Sequence, residues 1–557
     1  MAKGKGTYTG RYFRHLAAGA KAAGQGAMLA NGIAQRKRIQ EEAIEAARPP
    51  DPMVGLADAG ELEQYRHAKG AFYLGRIHDD HGVNLEAGIH DDRGVFVVAG
   101  SGAGKGTSFY IQNCLRWQGP LVCVDPKGEA AMITAMRRGT REKAIGTGTS
   151  VRPPFLGQQV AILDPFGLVK GPARCYRVNY NPMRDIDMSR GGGVRQIRAI
   201  ASSLVVHEPG EGKHFSESAE TLIAGVIEVM KLTENEAAAQ TLPKVRRVLL
   251  GEVKTRFKHE SDDDRDRKQA YDHLVDYLRR VKSKAGLGRE ALAIVEDVGR
   301  DEWSGYRSTL SRAVRWMAEP EMQDHLRDSG FSLWDIVQQG GSVYFVLQSD
   351  EIDDYKSWLR VVIRMATAAK MALGTNQKGP KTLFMLDEFA ALGRFRILEK
   401  AVAEMRGYGI KLVPVIQNIG QIKELYGANW ETFMANSAAI LAWGLNDGET
   451  EKYIADRLGR VMSWETSAGM NAGGASLSMS AGNSANSGWR ERPIRFPNDI
   501  HDQSAAGTMR AFVIPAAGKG FTVRRVPYFE DPELTGARAY DAPDFIAAWE
   551  ADYGRRA

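Results

Sequence analysis

Short apolar runs rich in β-branched residues recur along the chain, and several are separated by stretches with the periodicity of amphipathic helices. The first clear run covers residues 95–99 and leads into a glycine-rich segment. Comparable runs follow at residues 121–124, 160–163, 343–347, 382–386, 411–416 and 439–443. Continuous apolar runs of this length are typical of strands buried on both faces of a sheet. Their alternation with helical stretches predicts an α/β fold with a parallel central sheet and covering helices.

The strand pattern stops between residues 185 and 340, where charged stretches with helical periodicity take over. Leu274, Leu278 and Val281, for example, repeat at helical spacing. Long crossover helices would give a similar pattern, but this segment is too long for one crossover connection. We therefore predict an inserted all-α domain over residues 185–340. The two parts of the sheet domain are then residues 53–184 and 341–535.

Two further segments differ in composition from the rest of the chain. Residues 463–487 are rich in Ser, Gly, Ala and Asn and carry almost no charge. This composition predicts a flexible loop within the second part of the sheet domain. Strand-like runs at 510–514 and 521–526 then return the chain to the sheet, and residues 536–557 are assigned to a C-terminal tail.

The net charge of +6 is concentrated at the start of the chain. The first fifty residues contain nine Lys and Arg residues and three Glu residues, so the remainder is electrically balanced. We expect residues 1–52 to form a basic, partly flexible arm. Three interpretations stay open: contact with nucleic-acid phosphates, contact with an anionic membrane surface, or a solubilising end without a partner.

The sequence indicates neither a membrane span nor an extracellular location. No run of eighteen apolar residues occurs, and the N-terminus lacks the pattern of a secretory signal. Cys114, Cys123 and Cys175 do not have the paired spacing of a zinc site or a disulfide framework. We therefore expect no transmembrane helix and a reducing, cytoplasmic location.

The glycine-rich segment after the first strand has the pattern of a phosphate-binding loop, or P-loop. Residues 99–107 read Ala-Gly-Ser-Gly-Ala-Gly-Lys-Gly-Thr. Glycines let backbone N–H groups turn toward phosphates, the N-terminus of the next helix favours negative charge, and Lys105 can reach the β- and γ-phosphates. The residues expected to bind a nucleotide are Gly100, Ser101, Gly102, Ala103, Gly104, Lys105, Gly106 and Thr107.

This loop departs from the strict P-loop pattern at two positions. Ala99 stands where the pattern has Gly, and Gly106 stands where it has Ser or Thr. The hydroxyl beside a nucleotide-bound Mg²⁺ must then come from Thr107 or Ser108, or be replaced by water. Thr107 is the first candidate, as a metal ligand together with Asp387.

The apolar run at 382–386 ends in two adjacent carboxylates, Asp387 and Glu388. In a P-loop motor the first carboxylate holds the Mg²⁺ shell, and the second orients and polarises the attacking water. A strand followed by two acids also arises by chance, so the prediction depends on the presence of Lys105 in the same chain.

Two more residues suit phosphoryl transfer. Gln417 follows the predicted strand at 411–416, where a sensor of the γ-phosphate would stand. Arg406 lies at the end of the helix after Glu388, where it could reach a neighbouring subunit as an arginine finger. Taken alone, a strand-end amide and a solvated helix charge are the alternatives.

These motifs together resemble the type IV coupling proteins, the hexameric DNA-translocating ATPases of conjugation and type IV secretion. The matching segments, in order, are residues 104–106, 124–129, 180–182, 386–393, 417–427 and 447–459. The second reads Val-Asp-Pro-Lys-Gly-Glu, and the fourth reads Leu-Asp-Glu-Phe-Ala-Ala-Leu-Gly. They fall within about residues 70–530.

The resemblance implies a RecA-like P-loop NTPase domain, and a distal all-α domain that meets a relaxosome or another substrate. It implies ATP and Mg²⁺ as ligands, with Lys105 on the phosphates, Asp387 on the metal and Glu388 as the catalytic carboxylate. Arg406 would act in trans in a homo-hexamer, and Gln417 would act as sensor. The implied partners are DNA bound without sequence preference, a relaxase or secreted protein, and the channel ATPases and inner-membrane components.

The chain departs from this family at its start, because family members usually begin with transmembrane helices. We therefore expect a cytoplasmic protein that is peripheral at the inner membrane, with the basic arm as its contact to lipid or to a membrane protein. Two rival functions stay open. One is a RecA-like DNA translocase outside secretion, and the other is an ATP-dependent adaptor that recruits protein effectors.

Overall fold

The structure is a computed structural model that describes most of the chain. The described residues are 38, 56–68, 70–77, 85–140, 155–189, 192–206, 213–251, 263–281, 285–327, 329–375, 377–469 and 484–534. Apart from residue 38, the predicted basic arm lies outside them, as does the predicted C-terminal tail. The described residues form two compact units, a hairpin unit over 458–494 and a main unit that contains the others from residue 56 onward.

Strands occur at every position where an apolar run predicted one. The strands of the described residues are β1 (Phe72–Ile77), β2 (Leu85–Ile89), β3 (Val95–Ala99), β4 (Leu121–Asp125), β5 (Val160–Leu163), β6 (Ser342–Val346), β7 (Thr382–Leu386), β8 (Ile410–Ile416), β9 (Ala439–Trp443), β10 (Arg460–Gly469), β11 (Ser484–Pro493), β12 (Arg510–Pro515) and β13 (Phe521–Arg524). Strands β3, β4 and β6 to β9 are buried along their whole length, as continuous apolar runs require.

Eleven of these strands form one sheet in the order β2-β1-β13-β12-β9-β3-β8-β7-β4-β6-β5. The part from β9 to β5 is parallel, which confirms the predicted central sheet. Strands β12, β13, β1 and β2 extend it in antiparallel fashion. The two C-terminal strands therefore return to the sheet as expected, whereas β1 and β2 were not predicted.

Helices cover the sheet and fill the long connection between β5 and β6. They are α1 (Ala59–Leu62), α2 (Ile111–Arg116), α3 (Glu129–Arg138), α4 (Gly193–Leu204), α5 (Lys213–Thr233), α6 (Leu242–Leu250), α7 (Asp263–Leu278), α8 (Leu287–Val314), α9 (Pro320–His325), α10 (Leu333–Gln338), α11 (Ile352–Met371), α12 (Arg396–Met405), α13 (Ile419–Tyr426), α14 (Thr432–Ala435), α15 (Gly448–Leu458) and α16 (Pro497–Ser504). None of the helices in the described part of the chain is long and apolar enough to cross a membrane.

Helices α4 to α10 make up the inserted helical region. Its two longest helices, α5 and α8, approach closely at Gly225, where an added Cβ would lie 2.3 Å from the Ala291 Cβ. The buried Glu228 carboxylate of α5 accepts a hydrogen bond from the Gly288 N–H at 2.7 Å and so caps the first turn of α8. The described residues of the connection therefore fold as helices, as their periodicity predicted.

A buried arginine of α11 joins this region to the sheet domain. Arg360 Nε donates to the Ser203 carbonyl at the end of α4 at 3.1 Å. Its Nη1 donates to the carbonyls of Leu392 and Arg394 at 3.2 and 3.0 Å. Those two residues follow the end of β7, so one side chain connects the helical region to a loop beside Asp387 and Glu388.

The hairpin unit corrects the prediction of a flexible loop at residues 463–469 and 484–487, which belong to strands. Strands β10 and β11 pair in antiparallel fashion through ten residues each, from Arg460↔Pro493 to Gly469↔Ser484. Trp464 and Trp489 occupy directly opposite register positions. The cross-strand hydrogen bonds extend the hairpin into small and polar residues that have little strand preference of their own. Residues 470–483 lie outside the described residues.

His325, at the end of α9, gives a pH-dependent prediction for stability. Its ring is 2% exposed and packs edge-on against Trp358 in α11, and burial, with Arg177 nearby, lowers its pKa from 6.5 to about 3. The native state keeps this ring neutral, whereas the unfolded chain takes up a proton below pH 6.5. Its contribution to stability is therefore full above pH 6.5 and is lost as the pH falls toward 3, by up to about 1.4 kcal/mol per pH unit.

Denaturant unfolding of the wild-type protein and of His325→Phe at pH 7.5, 6.5 and 5.5 measures this contribution. Phenylalanine keeps an aromatic ring against Trp358 but cannot be protonated. We expect the wild-type protein to lose more stability than the variant between pH 6.5 and 5.5. Equal losses in the two proteins would show that His325 is not the group responsible.

Candidate functional site

The predicted site residues other than Arg406 come together at one edge of the sheet. Strand β8 lies between β3 and β7, and all three run parallel. Their carboxyl ends carry Lys105 after β3, Gln417 after β8 and the Asp387–Glu388 pair after β7. The carboxyl edge of a parallel sheet is where α/β proteins bind ligands.

The P-loop adopts a conformation that requires its glycines. Gly102 and Gly104 have φ values of +70° and +73°, in the left-handed region that favours glycine. At Gly100 an added Cβ would lie 2.0 Å from the Gly444 carbonyl oxygen, so the loop packs directly on the backbone after β9. After the loop, a π-helical turn over Gly106–Tyr110 leads into α2.

A carbonyl of this loop is held by two buried side chains. The Ala103 oxygen accepts hydrogen bonds from Trp443 Nε1 at 3.0 Å and from Arg525 Nη1 at 2.6 Å. The Arg525 guanidinium also lies 5.3 Å from the centre of the Trp443 ring. Sequence reasoning missed both residues, because a tryptophan at a strand end and one arginine in an Arg-Arg pair have no local signature.

Lys105 pairs with both carboxylates of the predicted site, the metal ligand Asp387 and the catalytic Glu388. Its Nζ lies 2.6 Å from Glu388 Oε1 and 3.4 Å from Asp387 Oδ1. Burial opposes the charge of the ammonium, but the attraction of Asp387 and Glu388 is larger in total, and the pKa of Lys105 is raised. Lys105 therefore remains protonated although its side chain is partly buried. The protonated ammonium is the form that binds phosphate.

Asp387 and Glu388 occupy different environments although they are adjacent. Burial raises the pKa of Asp387; Lys105 lowers it, and the neighbouring Glu388 carboxylate raises it further. Glu388 has φ 51° and ψ 42°, a left-handed conformation that costs a residue with a Cβ about 1–2 kcal/mol. Such strain is often found at functional sites. This turn places both carboxylates on Lys105.

Gln417 completes this cluster from β8. Its Nε2 donates to Glu388 Oε2 at 3.1 Å, and its backbone N–H donates to Gln421 Oε1 at 3.0 Å. The Gln417 side chain therefore holds the second carboxylate oxygen of Glu388 from the end of β8, the strand that lies between β3 and β7. A group in this position can respond to whatever Glu388 binds.

The structure distinguishes the two hydroxyls that the sequence left open. Ser108 is buried, and its Oγ donates to the Gly104 carbonyl at 2.7 Å while accepting from Arg525 Nη1 at 3.3 Å. Thr107 is partly exposed in the first turn after Lys105, with only a long contact of 3.4 Å to the same carbonyl. Thr107 is therefore the hydroxyl better able to reach a ligand.

Arg406 does not join the cluster within the chain. It is exposed at the end of α12, four residues before β8 begins, and so lies at the amino edge of the sheet. There it lines a cavity of about 210 Å³ together with Arg93 and Gly94, which precede β3. Arg406 is therefore not part of the cluster that Lys105, Asp387, Glu388 and Gln417 form within the chain.

Asp125, within the second motif of the resemblance, lies at the end of β4 next to β7. Burial raises its pKa to about 7, although backbone N–H groups, that of Ala131 foremost, act against the rise. Its Oδ2 accepts from the Ala131 N–H at 2.8 Å and so caps the start of α3. The acid of this motif thus supports the helix beside the site.

Comparison with known proteins gives one family and a consistent group of relatives. A family model described as type IV secretory system conjugative DNA transfer matches residues 22–546. The conjugal transfer protein TraG of Agrobacterium fabrum is 27% identical over 368 residues, which cover 65% of this chain and 50% of the relative. The type IV secretion system-coupling protein VirD4 of Bartonella henselae is 25% identical over 410 residues, which cover 72% and 57%. The chain thus spans about half the length of these curated relatives.

Solved structures share the fold. The plasmid coupling protein TrwB in complex with ADP and Mg²⁺ matches with a TM-score of 0.56 at 14% identity, covering 85% of this chain and 94% of that chain. The same protein with a non-hydrolysable ATP analogue matches with a TM-score of 0.55 at 14% identity, covering 86% and 96%. This likeness confirms the predicted fold class, a RecA-like P-loop domain with an inserted all-α domain.

Proposed function

Since the chain belongs to the type IV secretory system conjugative DNA transfer family, we propose that it is an ATP-driven coupling protein that delivers DNA to a conjugation channel. The cluster of Lys105, Glu388 and Gln417 at the carboxyl edge of the sheet carries this proposal, because it contains a phosphate ligand, a carboxylate base and a sensor within hydrogen-bond distance. The TrwB complexes, which contain ADP with Mg²⁺ or an ATP analogue, support ATP as the nucleotide.

Binding of ATP requires a rearrangement of one ion pair. Lys105 lies on Glu388 at 2.6 Å, so a β- or γ-phosphate competes with this carboxylate for the ammonium. When the phosphate takes Lys105, Glu388 is released to accept a hydrogen bond from the attacking water. Gln417, which holds the other oxygen of Glu388, keeps the carboxylate near that position.

The donor set fits a bound Mg²⁺. Asp387 offers a carboxylate and Thr107 a partly exposed hydroxyl, and hard oxygen ligands are those that Mg²⁺ prefers. When bound, the ion would offset the negative charge of the β- and γ-phosphates. Asp387 also has a structural role that does not depend on the ion. Its Oδ1 accepts a hydrogen bond from the Glu388 N–H at 3.0 Å and stabilises the strained turn.

Movement of DNA would follow from placing the reaction between subunits. We propose a homo-hexameric ring in which Arg406 of one copy reaches the nucleotide of the next, so that hydrolysis changes how two copies pack. We expect the ring to contact DNA through its phosphates and not through its bases, because a translocase must move DNA of any sequence. A relaxase or secreted protein joined to that DNA, and the channel ATPases and inner-membrane proteins, are the proposed partners.

The test is ATP hydrolysis by the purified full chain without DNA, with single-stranded DNA and with duplex DNA. We expect stimulation by DNA in the wild-type protein and no hydrolysis with Lys105→Ala. Hydrolysis that proceeds at the same rate with and without DNA, in an assembled protein, would contradict a DNA motor and favour an adaptor for protein cargo. Absence of ATP hydrolysis in all conditions, from an assembled protein, would contradict the ATPase itself.

A further inference from the structure

A segment near the end of the described chain, residues 525–534, runs along the π-helical turn and α2 that follow the P-loop. We refer to it as the strap. Its contacts with this helix include Tyr528 N to Thr107 O at 3.0 Å, Gln112 Nε2 to Val526 O at 2.9 Å, and Arg116 Nη2 to Asp531 Oδ2 at 2.6 Å. The strap therefore packs along the element that follows the P-loop.

The first residue of the strap reaches the loop itself. Arg525 is 2% exposed and donates to the Ala103 carbonyl at 2.6 Å and to Ser108 Oγ at 3.3 Å. Its other donors are used by the carbonyls of Ala506 and Arg510 at 3.1 and 3.4 Å. The guanidinium is thus fixed in place by neutral acceptors on two sides.

The charge of this guanidinium has no counterpart in the described part of the chain. No carboxylate there forms an ion pair with Arg525, and burial lowers its pKa to about 10. A buried cation without a partner is unfavourable, because desolvation is not offset by an opposite charge. Arg138 and Arg360 are also buried and donate only to neutral acceptors. Arg525 differs from them because its acceptors include the Ala103 carbonyl of the P-loop.

The orientation of one peptide unit connects this charge to the ligand side of the loop. In a trans peptide the C=O and the next N–H point in opposite directions. Because the Ala103 carbonyl points at Arg525, the Gly104 N–H points away from it. A side chain at Gly104 would come within 3.5 Å of Arg525 Nη1, so the guanidinium lies directly against the loop backbone.

We infer that Arg525 is a positioning residue for the nucleotide phosphates. It acts from the side of the P-loop opposite to the phosphates. It fixes the Ala103–Gly104 peptide so that the N–H faces the ligand, and it adds a buried positive charge that the phosphates offset. The inference rests on the proposed ATP site and adds a residue to it. No part of the reaction chemistry is assigned to Arg525.

Equilibrium binding of ATP, ADP and AMP to the full chain, followed with a fluorescent nucleotide and by competition, tests the inference. Arg525→Gln removes the charge, and we expect ATP affinity to fall roughly tenfold to a hundredfold, the range for a lost hydrogen bond to a charged group. The loss should be largest for ATP and smallest for AMP, because the interaction grows with phosphate charge. Equal losses for all three nucleotides would contradict the electrostatic part.

Two further variants separate positioning from simple support of the fold. Arg525→Lys keeps the positive charge but not the several N–H donors of the guanidinium. We therefore expect a smaller loss of ATP affinity, with the loss again largest for ATP and smallest for AMP. Wild-type affinity in this variant would contradict the role of the guanidinium, and this reading holds even if Arg525→Gln does not fold. Asp531→Asn weakens the strap without touching the loop, and we expect near wild-type affinity. If Asp531→Asn lost as much ATP affinity as Arg525→Gln, the role of Arg525 would be only to hold the strap in place.

The same measurements keep this inference apart from the proposed function. Wild-type protein that binds no ATP would contradict the proposed function. Wild-type protein that binds ATP, and loses it in Lys105→Ala but not in Arg525→Gln, would contradict this inference alone.

Discussion

Replacing Arg406 by alanine is expected to lower ATP hydrolysis by about 10³- to 10⁵-fold, the range found for arginine fingers. ATP affinity should change little, because Arg406 lies at the edge of the sheet opposite Lys105 and is absent from the site of its own chain. Arg396→Ala, at the other end of the same helix and also exposed, is the matched control and should keep wild-type activity.

Mixing variants tests whether Arg406 acts on a neighbouring copy. Arg406→Ala subunits keep an intact Lys105 site, and Lys105→Ala subunits keep an intact Arg406. When the two inactive proteins are assembled together, some interfaces combine both intact residues, so hydrolysis should return in part. No recovery in mixed assemblies, verified to contain both chains, would contradict the action in trans.

The second large effect is expected at Glu388. Glu388→Gln removes the base that orients water and should lower ATP hydrolysis by about 10²- to 10⁴-fold. ATP binding should be kept or become tighter, because the carboxylate that competes for Lys105 at 2.6 Å is gone. Single-turnover hydrolysis and equilibrium binding of ATP by the same preparation measure both results.

A nearby acid provides the control for this prediction. Glu424 is exposed on α13, beyond Gln417 along the chain, and Glu424→Gln should leave both binding and hydrolysis unchanged. A Glu388→Gln protein that still hydrolyses ATP within tenfold of the wild-type rate would show that another group activates water. Weaker ATP binding in Glu388→Gln would contradict the competition for Lys105.

The parallel sheet could be predicted because its strands are buried on both faces. Runs such as residues 383–386 are apolar at every position, and few other structures accept such a run between polar turns. Strands β1 and β2 escaped prediction because they contain glycines and a charged residue and are stabilised by pairing at the sheet edge. In β10 and β11, hydrogen bonding between strands overrode a composition typical of loops.

Lys105, Asp387, Glu388 and Gln417 could be named from sequence because each directly follows a recognisable strand, and parallel strands present their carboxyl ends at the same edge. The sequence by itself therefore determined the α/β sheet, the helical insertion and the residues of the cluster. Only the tertiary structure decided which atoms meet: the ion pair of Lys105 with Glu388, the engagement of Ser108, and the distance of Arg406 from its own site. It also brought Arg525 to the P-loop from more than four hundred residues away in the chain. Contacts of this kind depend on how the strands are ordered in the sheet, and local patterns of residues contain no information about that order.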